Sequence, residues 1–343
     1  KLFENCYSLK KVEFAEGIGL TEIKKQLFLN CTALETVIIP DGFTQIGENA
    51  FDGCSSLETI DLPDSLEYIG RLAFKKSGLT EITIPEKVKY LAKAKKLSSS
   101  SDLNGGARTD PASGTVNSTS SGQFAYCENL TKVTLPSKLE EVGSYLFFAT
   151  PNLTTIMYTG YEGDDNALPA TVKQIGGWAF SYCGADSIKV NSNATLGNNV
   201  FADSKLVEID ISSCVGTSEI PEMAFAYTTE LTNVIFPEKV AVIGKSAFLQ
   251  SAIDEIVLPS SVYQLNVAAF KQSNVSFLNL ANVTSYYTSN RYGNWYSGDG
   301  IFEGCKDLSG VVLNNKLESL PGYMFNGCEN LTDINIPASV TSI

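Results

Sequence analysis

The chain has 343 residues, of which 43% are hydrophobic and 18% are charged, and it contains eight cysteines and no histidine. Its formal net charge of −13 repels phosphate backbones, which disfavours nucleic-acid binding by counterion release. Without histidine there can be no Ser-His or Cys-His nucleophile pair and no histidine-ligated zinc or haem site.

Phenylalanine recurs along the chain with a base period of about 23 residues. Each unit approximates the pattern I-G-x-x-A-F-x-x-C/S-x-x-L-x-x-I-x-I-P-x-x-V. The thirteen units are centred on Phe3, Phe28, Phe51, Phe74, Phe124, Phe147, Phe180, Phe201, Phe225, Phe248, Phe270, Phe302 and Phe325. A fixed period of this length is typical of a solenoid, in which stacked coils bury one continuous core.

Each unit predicts two local elements. The I-x-I triplet, for example Ile60-Asp61-Leu62, alternates apolar and variable residues as a strand with one buried face does. The proline that often follows ends the strand after three or four residues. The G-x-x-A-F stretch fits a single helical or 3₁₀ turn that directs phenylalanine inward. The fold predicted is therefore an α/β repeat solenoid of about thirteen coils, each with one short parallel strand and one short helical turn.

Seven of the eight cysteines lie three residues after the repeat phenylalanine, where other units have serine or threonine. The next apolar residue comes two positions after serine but usually three after cysteine or threonine, a coupling that indicates turn chemistry. Cys183 departs from this rule, and Cys214 lies outside the column. Buried free thiols are favoured over a disulfide framework, which belongs to short secreted chains with little core.

Three insertions interrupt the period, at about 98–122, 160–169 and 286–300. The first is rich in Ser, Gly, Thr and Asn and is predicted to be a mobile loop. The second contains Asp164 and Asp165 but lacks the residue order of a calcium loop. The third is the main part of an aromatic segment, 284–300, which has the composition of a paratope loop.

The candidate binding residues fall into two groups. The aromatic segment contributes Tyr286, Tyr287, Arg291, Tyr292, Trp295 and Tyr296. The outward face of the predicted strands contributes Met157, Ile235, Val257 and Val312, together with Phe277, one place before a strand. Tyrosine and tryptophan rings suit both protein contacts and stacking on sugars, whereas the alternative is that they fold back over the coils. For the strand residues, the alternative to a binding groove is ordinary β-propensity on a half-exposed sheet.

The string Ala50-Phe51-Cys54-Leu57-Ile60-Leu62-Pro63 and its counterparts resemble the repeats of the BspA-like leucine-rich-repeat family of bacterial surface proteins. The resemblance extends over nearly the whole chain. It implies a right-handed leucine-rich-repeat superhelix and an extracellular or cell-wall protein that binds host or neighbouring-cell macromolecules. The family has no catalytic motif to transfer, because its characteristic residues are core residues.

These observations predict a single solenoid over residues 1–343 with both ends inside repeats, and a signal and anchor outside this chain. The predicted function is a non-enzymatic extracellular recognition or adhesion module that binds a protein through the strand face and residues 284–300. A glycan-binding module and a structural spacer of a larger surface protein are the alternatives. An enzyme using Asp164 and Asp165 is disfavoured, because nothing places an acid and a base across a cleft. No cofactor, metal site or membrane-spanning segment is predicted.

Overall fold

The computed structural model describes residues 2–91, 122–163, 166–287 and 299–343. The predicted mobile loop at 98–122 lies outside these ranges except for Gly122, as do Asp164 and Asp165. The chain forms two compact units, residues 1–200 and residues 201–343. Within the described ranges the backbone consists of short strands and turns and contains no α-helix.

Among the described residues, fourteen strands lie in the first unit and eight in the second. Those of the first unit are β1 (Lys11–Glu13), β2 (Glu22–Ile23), β3 (Thr36–Ile38), β4 (Gln45–Ile46), β5 (Tyr68–Ile69), β6 (Glu81–Thr83), β7 (Tyr90–Leu91), β8 (Lys132–Leu135), β9 (Glu141–Val142), β10 (Thr155–Tyr158), β11 (Ala167–Leu168), β12 (Gln174–Ile175), β13 (Ser187–Val190) and β14 (Thr195–Leu196). Those of the second are β15 (Glu208–Asp210), β16 (Glu219–Ile220), β17 (Asn233–Ile235), β18 (Val242–Ile243), β19 (Gln264–Asn266), β20 (Phe277–Asn279), β21 (Ser285–Tyr287) and β22 (Gly310–Val312).

The strands form two rows of parallel ladders, so the prediction of one strand per coil is wrong. The predicted I-x-I strands pair from coil to coil, as in β6–β8–β10 and β20–β22. A second row of two- or three-residue strands lies at or just before the position that glycine has in the repeat pattern, as in β7–β9–β12–β14 and β16–β18–β19–β21. The fold is a parallel-strand β-solenoid of about eleven turns, rather than an α/β solenoid of thirteen coils.

The stretch around each repeat phenylalanine is a series of turns and not the predicted helical turn. In one coil, the backbone N–H groups of Gln26, Phe28 and Asn30 donate to carbonyls of the following coil at 2.8–2.9 Å. These alternate N–H groups are therefore unavailable for the hydrogen bonds that a helix makes within its own segment. Gln26 and Asn30 have φ angles of 57° and 60°, which turn the chain on both sides of the phenylalanine.

The repeat phenylalanines stack on their copies in neighbouring coils, as the sequence predicts. In residues 1–200 the rings of Phe28, Phe51 and Phe74 stack with centroids 5.3–5.4 Å apart. In residues 201–343 the rings of Phe248 and Phe270 stack at 5.1 Å with an interplanar angle of 3°. Both rings of this second pair are fully buried. Each ring therefore contributes both apolar burial and a favourable aromatic contact to the core.

All eight cysteines are free, which confirms the thiol prediction over the disulfide alternative. The column after phenylalanine uses two hydrogen-bond patterns. Cys54 and Cys127 donate from Sγ to the phenylalanine carbonyl of the preceding coil, at 3.2 and 3.0 Å. Thr150 and Ser204 instead donate to the phenylalanine carbonyl of their own coil, each at 2.7 Å. Residues in this column thus act as small hydrogen-bond donors. In these examples, cysteine donates to the phenylalanine carbonyl of the preceding coil, whereas serine and threonine donate to that of their own coil.

Candidate functional site

Four of the predicted strand-face residues lie in residues 201–343, and the strand pairing shows how they are placed. Val312 is paired with Asn279, and Phe277 is bridged to Glu255 on its other side. Val257, two residues after Glu255, is therefore on the same outward face. On β17, Ile235 occupies the corresponding position, opposite Asp210. We call Ile235, Val257, Phe277 and Val312 the apolar strip.

The apolar strip is open to solvent. Val257 is 88% exposed and Phe277 51% exposed, and Ile235 and Val312 are also exposed. The ring of Phe277 lies against the backbone of Gly310, where an added Cβ would come within 3.0 Å of its Cδ2 atom. The absence of a side chain at Gly310 thus leaves room for the Phe277 ring beside the neighbouring strand.

The charges beside the apolar strip are negative. Along the outward positions of β15, β17, β20 and β22, Glu208 and Asp210 carry charge and no position has lysine or arginine. Glu255 lies next to Phe277. Asp210 accepts hydrogen bonds from the backbone and hydroxyl of Ser212 at 2.9 and 2.6 Å, which orient its carboxylate. An apolar surface beside carboxylates is complementary to a partner that presents apolar groups next to basic ones.

Met157 is the remaining strand-face candidate, and it lies in the other unit. It is on β10 in residues 1–200, half-buried and in register with Thr134 of β8. Its place on a strand agrees with the sequence prediction. It does not belong to the group of four that the pairing brings together in residues 201–343.

Only the first two residues of the predicted aromatic group are described, and both are in a strand. Tyr286 is paired with Leu265 in β19, a position that Ile243 fills in β18, so it continues an apolar core column. Its hydroxyl is buried with no hydrogen-bond partner among the described residues, and burial raises the pKa of Tyr286 above its usual range. The expectation that Tyr286 lies in a loop is therefore wrong. Tyr287, opposite Asn266, is half exposed.

Arg291, Tyr292, Trp295 and Tyr296 lie outside the described residues, so their role stays a prediction. The described residues contain no group of three or more cysteine, aspartate or glutamate side chains that could hold a metal ion. Within the described ranges, no helix is long and apolar enough to cross a membrane.

One aromatic cluster was not predicted. Tyr126, Tyr145, Phe148 and Trp178 pack together in residues 1–200, with Phe148 making edge contacts to the other three at 5.3–6.0 Å. Burial raises the pKa of Tyr145 to about 12. The available signal was that Tyr126, two residues after its repeat phenylalanine, and Tyr145 and Trp178, two residues before theirs, occur in three consecutive units. These rings form a buried packing layer and present no open face.

A family model for the BspA type leucine-rich repeat region, with six copies of the repeat, matches residues 1–101, 111–162, 164–276 and 273–343. The chain belongs to the BspA-type leucine-rich-repeat family. Leucine-rich repeats of this family are generally non-enzymatic scaffolds. The residues that define the BspA-type repeat are core residues. The apolar strip residues occupy variable positions that the repeat pattern does not specify.

Two solved structures support the fold of this BspA-type chain. A leucine-rich repeat protein from Bacteroides ovatus is 23% identical with a TM-score of 0.54, and the match covers 96% of this chain and 79% of that one. A leucine-rich cell surface protein from Faecalibacterium prausnitzii is 23% identical with a TM-score of 0.53, covering 96% and 80%. Among curated protein sequences, none is significantly similar to this chain.

Proposed function

We propose that this chain is a non-enzymatic recognition module that binds a protein on a host or neighbouring cell. One observation carries the proposal: the side chains of the apolar strip, Ile235, Val257, Phe277 and Val312, are exposed on one outward sheet face. Scattered exposed apolar residues are ordinary, but four of them on one regular sheet face, with Asn279 between Val257 and Val312, favour an interaction surface. The carboxylates of Asp210 and Glu255 beside it favour a partner with lysine or arginine around an apolar centre.

Membership of a family of bacterial surface repeats supports a location at the cell surface. One similar structure is described as a cell surface protein, which agrees with that location. The predicted aromatic segment, from which Tyr287 presents a half-exposed ring on the second strand row, would offer a separate contact surface. The partner in this proposal is therefore an extracellular protein.

A glycan is the second candidate ligand. The exposed ring of Tyr287, at the start of a segment with further tyrosines and a tryptophan, suits stacking on a sugar. A spacer function predicts that neither surface binds anything.

A binding screen of the whole chain against arrayed extracellular-matrix proteins, mucins and glycans tests the proposal. One variant, Val257→Glu with Val312→Glu, adds two charges to the apolar strip. Its matched control, Ile38→Glu with Thr83→Glu, adds two charges to exposed strand positions in residues 1–200. A third variant replaces residues 288–298 with a Gly-Ser linker. Circular dichroism and thermal unfolding check that every variant remains folded.

We expect the strip variant to lose binding to a protein ligand by tenfold or more, while the Ile38/Thr83 control keeps it. If the ligand is a glycan and only the linker variant loses binding, the binding site would be assigned to the aromatic segment. Equal binding by the strip variant and the control would contradict a role for the strip. Absence of any ligand would favour the spacer.

A further inference from the structure

A second surface feature, unrelated to the apolar strip, lies in residues 1–200. It is a surface cavity of about 390 Å³, open to solvent, whose lining includes Lys89, Lys138, Glu140, Thr171, Lys173 and Asn193, most of them exposed. These residues come from successive coils, at the corner where the chain enters the second strand row. The cavity combines three lysines with one carboxylate in a chain whose net charge is −13.

The register of the second row explains why these charges meet. Lys89, Glu140 and Lys173 each lie one residue before β7, β9 and β12, which pair in parallel. The backbone N–H of Glu140 donates to the Lys89 carbonyl, and that of Lys173 donates to the Glu140 carbonyl, both at 2.8 Å. The three side chains therefore leave the stack one coil apart, with the carboxylate between the two lysines.

The charges of this cavity are only partly compensated. Lys173 Nζ donates to Glu140 Oε2 at 2.6 Å, and this hydrogen bond raises the pKa of Lys173. Lys89 and Lys138 form no ion pair with any described residue, although the Lys138 charge acts on the nearby Glu86. Glu86 itself accepts hydrogen bonds from the backbone and hydroxyl of Ser137 at 2.9 and 2.8 Å. The ammonium groups of Lys89 and Lys138 thus have no ion pair within the described residues and can bind an anion, although Glu86 partly offsets the charge of Lys138.

The walls of the cavity are held by hydrogen bonds between coils. The Thr171 hydroxyl lies 2.6 Å from the Leu139 carbonyl and 3.2 Å from that of Ser137, and it donates to these atoms of the preceding coil. Val172 next to it is buried in the core. A cavity built on such anchored coils needs little rearrangement to bind a ligand.

The chemistry of the lining selects the class of ligand. A volume of about 390 Å³ is at the lower end of the roughly 300–1,000 Å³ of small-molecule sites. Free ammonium groups suit a carboxylate or sulfate, while Asn193 and the Thr171 oxygen suit hydroxyl groups. A peptide added as an extra strand is disfavoured, because β9 and β12 are already paired on both sides.

We propose that this cavity is a subsite for a sugar bearing an anionic group, held by the ammonium groups of Lys89 and Lys138. The anionic group is a carboxylate or a sulfate ester, since each carries one negative charge and accepts hydrogen bonds from ammonium groups. Glu140 limits the affinity, because it occupies Lys173 and repels the anion.

The test is calorimetric titration of the full chain with a sulfated disaccharide, a galacturonic acid disaccharide, a neutral disaccharide and inorganic sulfate. The cavity variant is Lys89→Gln with Lys138→Gln. The control, Lys239→Gln with Lys316→Gln, makes the same charge change at exposed lysines of residues 201–343. We expect at least one anionic sugar to bind, a tenfold or greater loss in the cavity variant, and less than a twofold change in the control.

Glu140→Gln should have the opposite effect to the cavity variant. Because this change frees Lys173 and removes the carboxylate, the affinity for the anionic sugar should rise several-fold. Equal losses in the cavity variant and the control, equal binding of the neutral sugar, or no binding of either anionic sugar would each overturn the proposal. Equally tight binding of a poly-glutamate peptide would overturn the sugar class. The strip variant, Val257→Glu with Val312→Glu, leaves the cavity unchanged. A failure of the sugar proposal can therefore be distinguished from a failure of the proposed protein binding.

Discussion

Oδ1 of Asn166 accepts a hydrogen bond from the backbone N–H of Ile156 at 2.7 Å, and its Nδ2 donates to the Thr154 carbonyl at 3.0 Å. The side-chain amide thereby takes the place of a backbone peptide group along the edge of β10. The backbone carbonyl of Asn166 accepts from Lys189 N at 2.8 Å. One residue of the second insertion therefore joins β10 to the following coil.

Asn166→Ala is expected to lower the free energy of unfolding by about 2 kcal/mol, because it leaves the buried N–H of Ile156 and the part-buried carbonyl of Thr154 unpaired. Urea unfolding followed by circular dichroism measures the change. Asn152→Ala is the matched control, since Asn152 makes one exposed hydrogen bond to the Glu128 carbonyl. A loss no larger than that of the control would show that water replaces the Asn166 amide.

Gly244→Ala is expected to destabilise the protein by about 2 kcal/mol or more. A Cβ at this position would lie 2.4 Å from the Ile220 carbonyl oxygen of the preceding coil, so the two coils must move apart. Gly322→Ala serves as the control, because nothing lies within 4 Å of the corresponding Cβ position. Thermal unfolding measures the melting temperature of each variant. Equal melting temperatures for the two variants would contradict the idea that the repeat has glycine here because neighbouring coils approach closely.

Phe248→Ala is expected to cost about 3–5 kcal/mol, the usual range for removing a buried aromatic ring. Phe248 is fully buried and stacks on Phe225 and Phe270 at 5.2 and 5.1 Å. Phe277→Ala, which removes a half-exposed ring of the apolar strip, should cost less than about 1 kcal/mol. Chemical unfolding curves give both values, and a large loss for Phe277→Ala would mean that its ring serves stability instead of recognition.

The buried thiols predict a loss of stability in alkaline solution. Burial raises the pKa of Cys127 from 9.0 to about 12, against the opposing effect of hydrogen bonds with Ser77. Its contribution to stability is therefore complete below pH 9 and is lost as pH rises towards 12, because only the unfolded chain releases the proton. In that window this thiol lowers the free energy of unfolding by about 1.4 kcal/mol per pH unit.

Unfolding curves from pH 8.5 to 11 for the native chain and for Cys127→Ser test this prediction. The variant should show a slope shallower by about one proton, whatever its stability at pH 8.5. Ser204→Ala, a change in the same column without an ionisable thiol, should shift the curve without altering its slope. Parallel curves for the native chain and Cys127→Ser would refute the assignment of the alkaline transition to this thiol.

The sequence by itself determined the repeat, the phenylalanine stack and the free thiols. In a solenoid, residues one period apart meet their own copies, so the column of Phe51 or Cys54 can be read without knowing the path of the chain. The outward positions of the I-x-I strands followed for the same reason, since alternation along a strand decides which side chains leave the sheet. Ile235 and Val312 were therefore found from sequence.

Only the tertiary structure decided the second strand row, the geometry of the phenylalanine turns and the place of Tyr286. Backbone groups of neighbouring coils bond to each other there, and backbone bonds leave little trace in residue type. The same holds for Asn166, whose amide replaces a peptide group, and for Lys89 and Lys173, which lie on either side of Glu140 because β7 and β12 both pair with β9. Side-chain columns are set by the period of the sequence, whereas hydrogen bonds between coils depend on how those coils approach each other in space.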